Sequence, residues 1–274
     1  MLQNNFLGVR NLTFERLIRG TKNRIVDIPQ RLSWKHSTFS SQNREKLLKY
    51  KNKHRGQRCF IVANGPSIKN TDLSFLKDEI TIGMNRISLM EDLYGFTPTY
   101  LVVTDIEIQL MQFLQEYDNI KIPKFFPYEV RKHFTNSENT HYYKMRFSNE
   151  FDSNFLNYVG NGKSVTVICI QLAHYMGFDE VILIGKDHSY NVTEKGGPGK
   201  RLKSTGSETN HFASGYYDKG MKWTIPNYLE EEISYSKARI AYEESGKEIM
   251  DATIGGKLEI FNKVDYISLF KKEI

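Results

Sequence analysis

A chain of 274 residues, 39% hydrophobic and 26% charged, is long enough to bury one large core with an arm beside it. No apolar run reaches the roughly 18 residues of a membrane span, no secretory leader is expected, and two cysteines make neither a disulfide framework nor a zinc site. The net charge of +6 is unevenly spread: residues 1–58 hold 14 Lys+Arg against 3 Asp+Glu, and the remainder holds 24 against 29.

Residues 1–57 are predicted to form a basic, partly helical arm. Phe6, Leu7, Val9, Leu12, Phe14, Leu17 and Ile18, with arginines among them, suit a short amphipathic helix. A second, polar and basic helical run covers Ser41 to Lys53. Two readings stay open: attachment to an anionic membrane surface or a partner, or packing of the apolar stripe on the body. Nucleic acid is not an expected partner, because the body is acidic and carries no recognisable nucleic-acid module.

The stretch Arg58-Cys59-Phe60-Ile61-Val62-Ala63-Asn64-Gly65-Pro66-Ser67 reads as a short buried strand running into a tight polar loop. Gly65 is expected to take a positive φ and bring backbone close to a ligand. Ser67 is expected to cap the following segment, Ile68 to Leu76. Further strands are predicted at 79–84, 99–104 and 120–126. The first three strands end in Asn64, Asn85 and Asp105, and alternating strands and helices predict a Rossmann-type α/β fold, with a mostly parallel sheet and helices on both faces. The carboxyl ends of adjacent parallel strands line one crevice, so these three side chains are candidates to face one ligand.

Gly160-Asn161-Gly162-Lys163-Ser164 opens an apolar helix, Val165 to Met176, stopped by Gly177. Its Gly-Lys-Ser suggests a phosphate loop, but Asn157 stands where the first glycine is needed, so a Walker A site is rejected. A strand from Val181 to Gly185 leads to Lys186-Asp187-His188-Ser189-Tyr190. Residues 186–225 form a long lid, with no strands predicted in 191–225, followed by a helix over 227–245, a strand over 247–251 and a short final helix over 264–272. The lid carries His211, Tyr216, Tyr217, Lys222 and Trp223. His188 and His211 are placed where a general base is expected.

The chain has no Asp-x-Asp to hold a metal against a nucleoside diphosphate, no Gly-x-Ser-x-Gly elbow and no Gly-x-Gly-x-x-Gly fingerprint. A donor with one phosphate, such as a CMP-sugar, needs less charge stabilisation and can be handled without a metal.

Phe60 to Ser67, Gly83-Met84-Asn85-Arg86, the segment from Ser164 to Asp187, and Thr209-Asn210-His211-Phe212 together resemble the bacterial CMP-sialic-acid-dependent sialyltransferases of glycosyltransferase family 42. With Asp187-His188-Ser189-Tyr190 and the tail from Ala252 to Leu258, they look closer still to the broad family described as 6-hydroxymethylpterin-diphosphokinase-like, many of whose bacterial members accompany surface-glycan synthesis. The likeness covers roughly residues 57–271. It implies that Asn64, Gly65 and Ser67 contact the nucleotide phosphate and ribose, that Asn85, Asp105 and Asp187 lie along the donor, and that Ser164 and Thr166 meet its cytidine end. His211 is implied as the base that deprotonates the acceptor hydroxyl, and Tyr190 as a stabiliser of the leaving phosphate. Asp105 departs from the sialyltransferases, which have Asn there.

The expected function is metal-independent transfer of an acidic, sialic-acid-like sugar from a CMP-sugar to a bacterial surface-glycan acceptor, with no cofactor. The expected location is cytoplasmic and peripheral at the inner membrane face, with homo-oligomerisation left open. A diphosphokinase using ATP and magnesium, with Asp105 and Asp187 as the best carboxylate pair, and a non-catalytic nucleotide-binding module are the alternatives.

Overall fold

The computed structural model describes residues 27–191, 196–207 and 209–271. The predicted amphipathic helix near residues 6–19 lies outside them. The chain forms two compact units, Met1–Asn43 and Arg44–Ile274. In the smaller, helix α1 is described over residues 27–36 and Trp34 is buried. Helix α2 spans Thr38–Leu48.

In the larger unit every strand pairing of the main sheet is parallel, and the unbroken apolar runs at 59–62 and 181–184 suit a sheet covered on both faces. The strands are β1 (Arg58–Val62), β2 (Thr81–Met84), β3 (Tyr100–Val102), β4 (Lys124–Pro127) and β5 (Thr140–Tyr143), with β8 (Glu180–Ile184), β11 (Glu248–Asp251) and β12 (Asn262–Lys263) beyond β1. Their order is β12-β11-β8-β1-β2-β3-β4-β5. The chain therefore steps outward from β1 to β5, then returns to the other side of β1. The switch point falls at the carboxyl end of β1, where open α/β sheets leave a crevice.

The side-chain period of two assigns the faces. Cys59 points toward Cys169 of helix α5 (Val165–Met176), and both free thiols are fully buried, so desolvation raises their pKa values and keeps them protonated. Phe60 points the other way, stacking on Phe270 at 5.6 Å and meeting Tyr266 edge-on at 6.4 Å. On that face the cover consists of short 3₁₀ helices, Leu73–Leu76 and Ile267–Phe270. Helix α5 ends as predicted at Gly177, whose φ of 91° only glycine adopts at little cost. Helix α6 (Tyr228–Glu244) packs beside α5, and Tyr242 donates to the carbonyl of Ile170 at 3.1 Å.

Residues 44–57, read with the arm from sequence, pack within this unit. The amide N–H groups of Asn52 and His54 donate to the carbonyls of Tyr175 and Met176 at the end of α5, and Tyr50 contacts His141 at 3.0 Å. Two short helices, α3 (Leu89–Tyr94) and α4 (Leu114–Asn119), follow β2 and β3. Two small sheets complete the fold: β6 (Met145–Arg146) pairs with β7 (Val159–Gly160), and β9 (Arg201–Lys203) pairs antiparallel with β10 (Lys222–Thr224). The described residues of the 191–225 stretch, read as a lid loop with no strands, thus fold around a hairpin, with Phe212 and Tyr216 fully buried.

Candidate functional site

A cleft of about 520 Å³ opens at the carboxyl ends of β1, β2, β3 and β8, between the start of α5 and the 196–225 cover. Asn64, Gly65, Asn85, Asp105, Ser164, Thr166, Asp187, Tyr190 and His211 all line it. The structure thus brings nine of the ten sequence-predicted site residues together.

Ser67 is the exception, and its expected role as a cap is corrected. The segment after it is two 3₁₀ turns, Pro66–Asn70 and Leu73–Leu76, and Ser67 sits inside the first. Its hydroxyl donates to Asp187 Oδ2 at 2.7 Å and its amide to Oδ1 at 3.1 Å, so it holds the Asp187 carboxylate instead of facing the cleft. Gly65 is also corrected in part. Its φ is −69°, available to any residue; what requires glycine is space. A Cβ there would lie 2.5 Å from the carbonyl oxygen of Gly185 and closer still to the Asp187 carboxylate. The turn after β1 therefore presses backbone directly against the turn after β8, tied by the Gly65 amide donating to the Gly185 carbonyl at 2.9 Å.

Backbone strain concentrates here. Four non-glycine residues among those described have positive φ, and three of them, Asn85 (49°), Lys163 (60°) and His188 (53°), line the cleft. Such conformations cost free energy that packing must offset and cluster at ligand sites. Asn64 is held by donating from Nδ2 to the Met84 carbonyl (2.9 Å) and to the Tyr216 hydroxyl (3.0 Å), which fixes the amide and leaves the buried Oδ1 without a partner among the described residues. Asn85 Oδ1 and Asn161 Oδ1 are likewise buried, with no partner among the described residues. Acceptors orphaned together in a cleft are what a donor-rich ligand would satisfy.

The cover contributes the aromatic wall. His211 lies flat on Tyr216, ring centroids 3.8 Å apart and planes within 1°, with Tyr217 edge-on at 5.4 Å. Tyr190 places its hydroxyl 3.2 Å from His211 Nε2. Tyr216 is anchored in turn by Arg86, whose guanidinium donates to the Tyr216 carbonyl at 2.6 Å and stacks 3.9 Å over Phe113. Burial raises the Tyr216 phenol well above its ordinary pKa, so it stays protonated.

The opposite wall is charged. Burial raises the pKa of Asp105, partly offset by the Ile108 amide donating to it at 2.7 Å. Burial likewise raises Asp187 despite Ser67. Burial alone would lower the Lys186 ammonium, but Glu231 at 3.0 Å more than offsets it and holds the group charged. Among the described residues no group of three or more His, Cys, Asp or Glu is arranged to hold a metal ion. Sequence reasoning missed Glu231. It lies on helix α6, which read only as a long helix, and nothing local ties it to Lys186 across 45 positions.

Residues 35–193 match the family described as 6-hydroxymethylpterin diphosphokinase MptE-like. Among solved structures, the MAf glycosyltransferase from Magnetospirillum magneticum AMB-1 is similar with a TM-score of 0.52 and 16% identity, over 83% of this chain and 38% of that protein. This chain thus spans well under half the length of that protein, and the likeness shows a shared fold. The sialyltransferase CstII from Campylobacter jejuni, solved with the substrate analogue cytidine-5'-monophosphate, gives 0.40 and 12%, over 77% of this chain and 85% of its own. A mammalian sialyltransferase solved with Gal-beta-1-3GalNAc-ortho-nitrophenol gives 0.39 and 11%, over 90% and 88%. No curated protein matches the chain in sequence.

Proposed function

The chain belongs to the MptE-like family, and we propose that it is a glycosyltransferase that moves an acidic, nonulosonic-type sugar from a CMP-sugar to a glycan hydroxyl without a metal. The observation that carries this reading is the His211–Tyr190 pair, set over a crevice at four strand ends and braced by the flat stack on Tyr216. The resemblance of the strand-end motifs to CMP-sugar enzymes and the orphaned asparagine acceptors support the donor class.

In this reading the Tyr190 hydroxyl marks where a hydroxyl group reaches the His211 imidazole. An acceptor hydroxyl there gives its proton to His211 as its oxygen bonds to the anomeric carbon. The anomeric carbon–oxygen bond to phosphate breaks, and its electron pair leaves with CMP. The phenol of Tyr190, released from His211, donates to the departing phosphate. Asn64, Asn85 and the Gly65 backbone hold the donor, Asp187 and Asp105 flank it, and Ser164 and Thr166 stand at the start of α5, where free N–H groups favour electron-rich atoms. The acceptor is a bacterial surface glycan, and the basic arm brings the chain to the inner face of an anionic membrane; no described helix is long and apolar enough to cross one.

A second reading, a pterin diphosphokinase, is favoured by the description of the family and by two carboxylates, Asp105 and Asp187, in one cleft. A transfer assay with CMP-sugars and a glycan acceptor, run with and without EDTA, tests the first reading. Sugar transfer that survives EDTA is the expected result. Diphosphate transfer from ATP to a hydroxymethylpterin only with magnesium, and no sugar transfer, would replace it with the second.

A further inference from the structure

One cluster in the cleft wall has no part in the proton transfer. His188 is 96% buried at its side chain, sits at a left-handed φ of 53°, and has Nε2 2.9 Å from Glu232 Oε1. A carboxylate only accepts, so Nε2 carries the hydrogen and Nδ1 presents a lone pair. His188 lines the cleft, and its buried Nδ1 has no hydrogen-bond partner among the described residues. That Nδ1 lies 4.0 Å from Glu231 Oε2. Glu231 is equally buried, and its contacts with Lys186 (3.0 Å) and Tyr235 (3.5 Å) both use Oε2. Lys186 spends one of its three N–H donors on that contact. The wall thus sets two acceptors side by side, with a donor beside them.

We infer that His188, Glu231 and Lys186 form a reader for an aminated nitrogen heterocycle. A primary amine carries two hydrogens, which match the His188 lone pair and the Glu231 carboxylate, and the adjacent ring nitrogen or carbonyl accepts a hydrogen bond from the Lys186 ammonium. Cytosine has this edge, and so does a 2-amino-4-oxopteridine. Uracil presents a carbonyl in place of the amine, which would set oxygen against carboxylate and leave buried acceptors unpaired, a mismatch that costs about tenfold or more in affinity. Tyr235 connects the reader to the start of α5, its hydroxyl 3.0 Å from Ser164 Oγ. The assignment of cytosine in particular rests on the CMP-sugar reading above; the preference for an amine does not.

Calorimetric titration of the full chain with CMP, UMP and 6-hydroxymethylpterin tests it, using the wild type, Glu231→Gln and His188→Asn, the last chosen because asparagine tolerates positive φ. The expected result is at least tenfold preference for CMP over UMP, reduced at least tenfold in both variants through weaker CMP binding alone. If Glu231→Gln fails to fold with Lys186 unpaired, His188→Asn decides by itself. Equal binding of CMP and UMP, or a preference that survives in the folded variants, overturns the reader while leaving sugar transfer from CMP-sugars standing. Pterin binding that depends on Glu231, with no CMP binding, upholds the reader and ends the CMP-sugar reading. Binding of none of the three ligands overturns both.

Discussion

The two histidines of the cleft sit in opposite surroundings. His211 belongs to an aromatic wall, flat on Tyr216 with the Tyr190 hydroxyl and Tyr217 at its edges. His188 belongs to an ionic wall, fixed by Glu232 and flanked by Glu231 and Lys186, with burial and then Lys186 lowering its pKa. The difference teaches that residue type alone does not assign a role. Ring stacking fixes the orientation of the first imidazole, and a carboxylate sets the tautomer of the second.

The largest expected effect separates the two directly. His211→Ala should lower kcat for transfer by about 10²–10⁴, the usual contribution of a positioned general base, with little change in donor affinity. His188→Asn should raise the KM for a CMP-sugar and leave kcat nearly intact. Steady-state kinetics on both variants would collapse the contrast if the two profiles matched.

Next in size is Gly65→Ala. The added methyl would meet the Asp187 carboxylate and the Gly185 carbonyl, and the second belongs to a tight backbone junction that cannot retreat as a side chain can. Destabilisation of about 1–3 kcal/mol is expected, together with loss of donor binding, because the shift would move both the β1 and β8 turns. Thermal melting with and without CMP reads both. An unchanged melting point would mean the junction is looser than the geometry says.

The aromatic wall is probed more gently by Tyr216→Phe, which keeps the ring stacked on His211 and removes only the hydroxyl that accepts from Asn64 Nδ2 at 3.0 Å and the Arg86 amide at 3.4 Å. A loss of about 1 kcal/mol is expected, or a few degrees in melting temperature, with kcat retained at neutral pH. A fall in kcat comparable with His211→Ala would instead make the Tyr216 hydroxyl part of the proton path.

The frame was far more legible in the sequence than the walls. Strands such as Phe60–Ala63 and Val181–Gly185 are unbroken β-branched and apolar runs, and α5 declares both ends through its glycine-rich entry and Gly177. Strand β5 was missed because Thr-His-Tyr-Tyr is polar by composition; its burial comes from pairing with β4 and from contacts such as Tyr143 donating to the Val103 carbonyl at 2.9 Å. Asn64, Asn85 and Asp105 were visible because strand ends in a parallel sheet must converge. The Ser67–Asp187 and Lys186–Glu231 contacts join residues 120 and 45 positions apart, and no local pattern encodes such pairs. The cover hid its order for a related reason: its glycines and charges read as loop, while its structure comes from burying Tyr216 and Phe212 against the strand ends, with the Phe212 amide donating to the Asn64 carbonyl at 2.9 Å.

The smallest predicted effect bears on the charged wall. Burial raises the Asp105 carboxyl above its ordinary value, so the folded protein binds this proton more tightly than the unfolded chain does. The cost of burying the ionised form is therefore absent below the unfolded value, near 3.9, and complete once the pH exceeds the raised folded value. Asp105→Asn removes that cost and keeps an oxygen to accept from the Ile108 amide, which Asp105 does at 2.7 Å. The variant should melt up to a few degrees higher than the wild type near pH 8, with the gap closing as the pH falls toward 4. It should also bind CMP more tightly, since one negative charge has left the cleft that receives the phosphate. A variant that melts lower at every pH would show that the carboxylate is held by something stronger than the Ile108 amide, and a divalent ion between Asp105 and Asp187 would then be the first candidate, checked by repeating the melt with added magnesium.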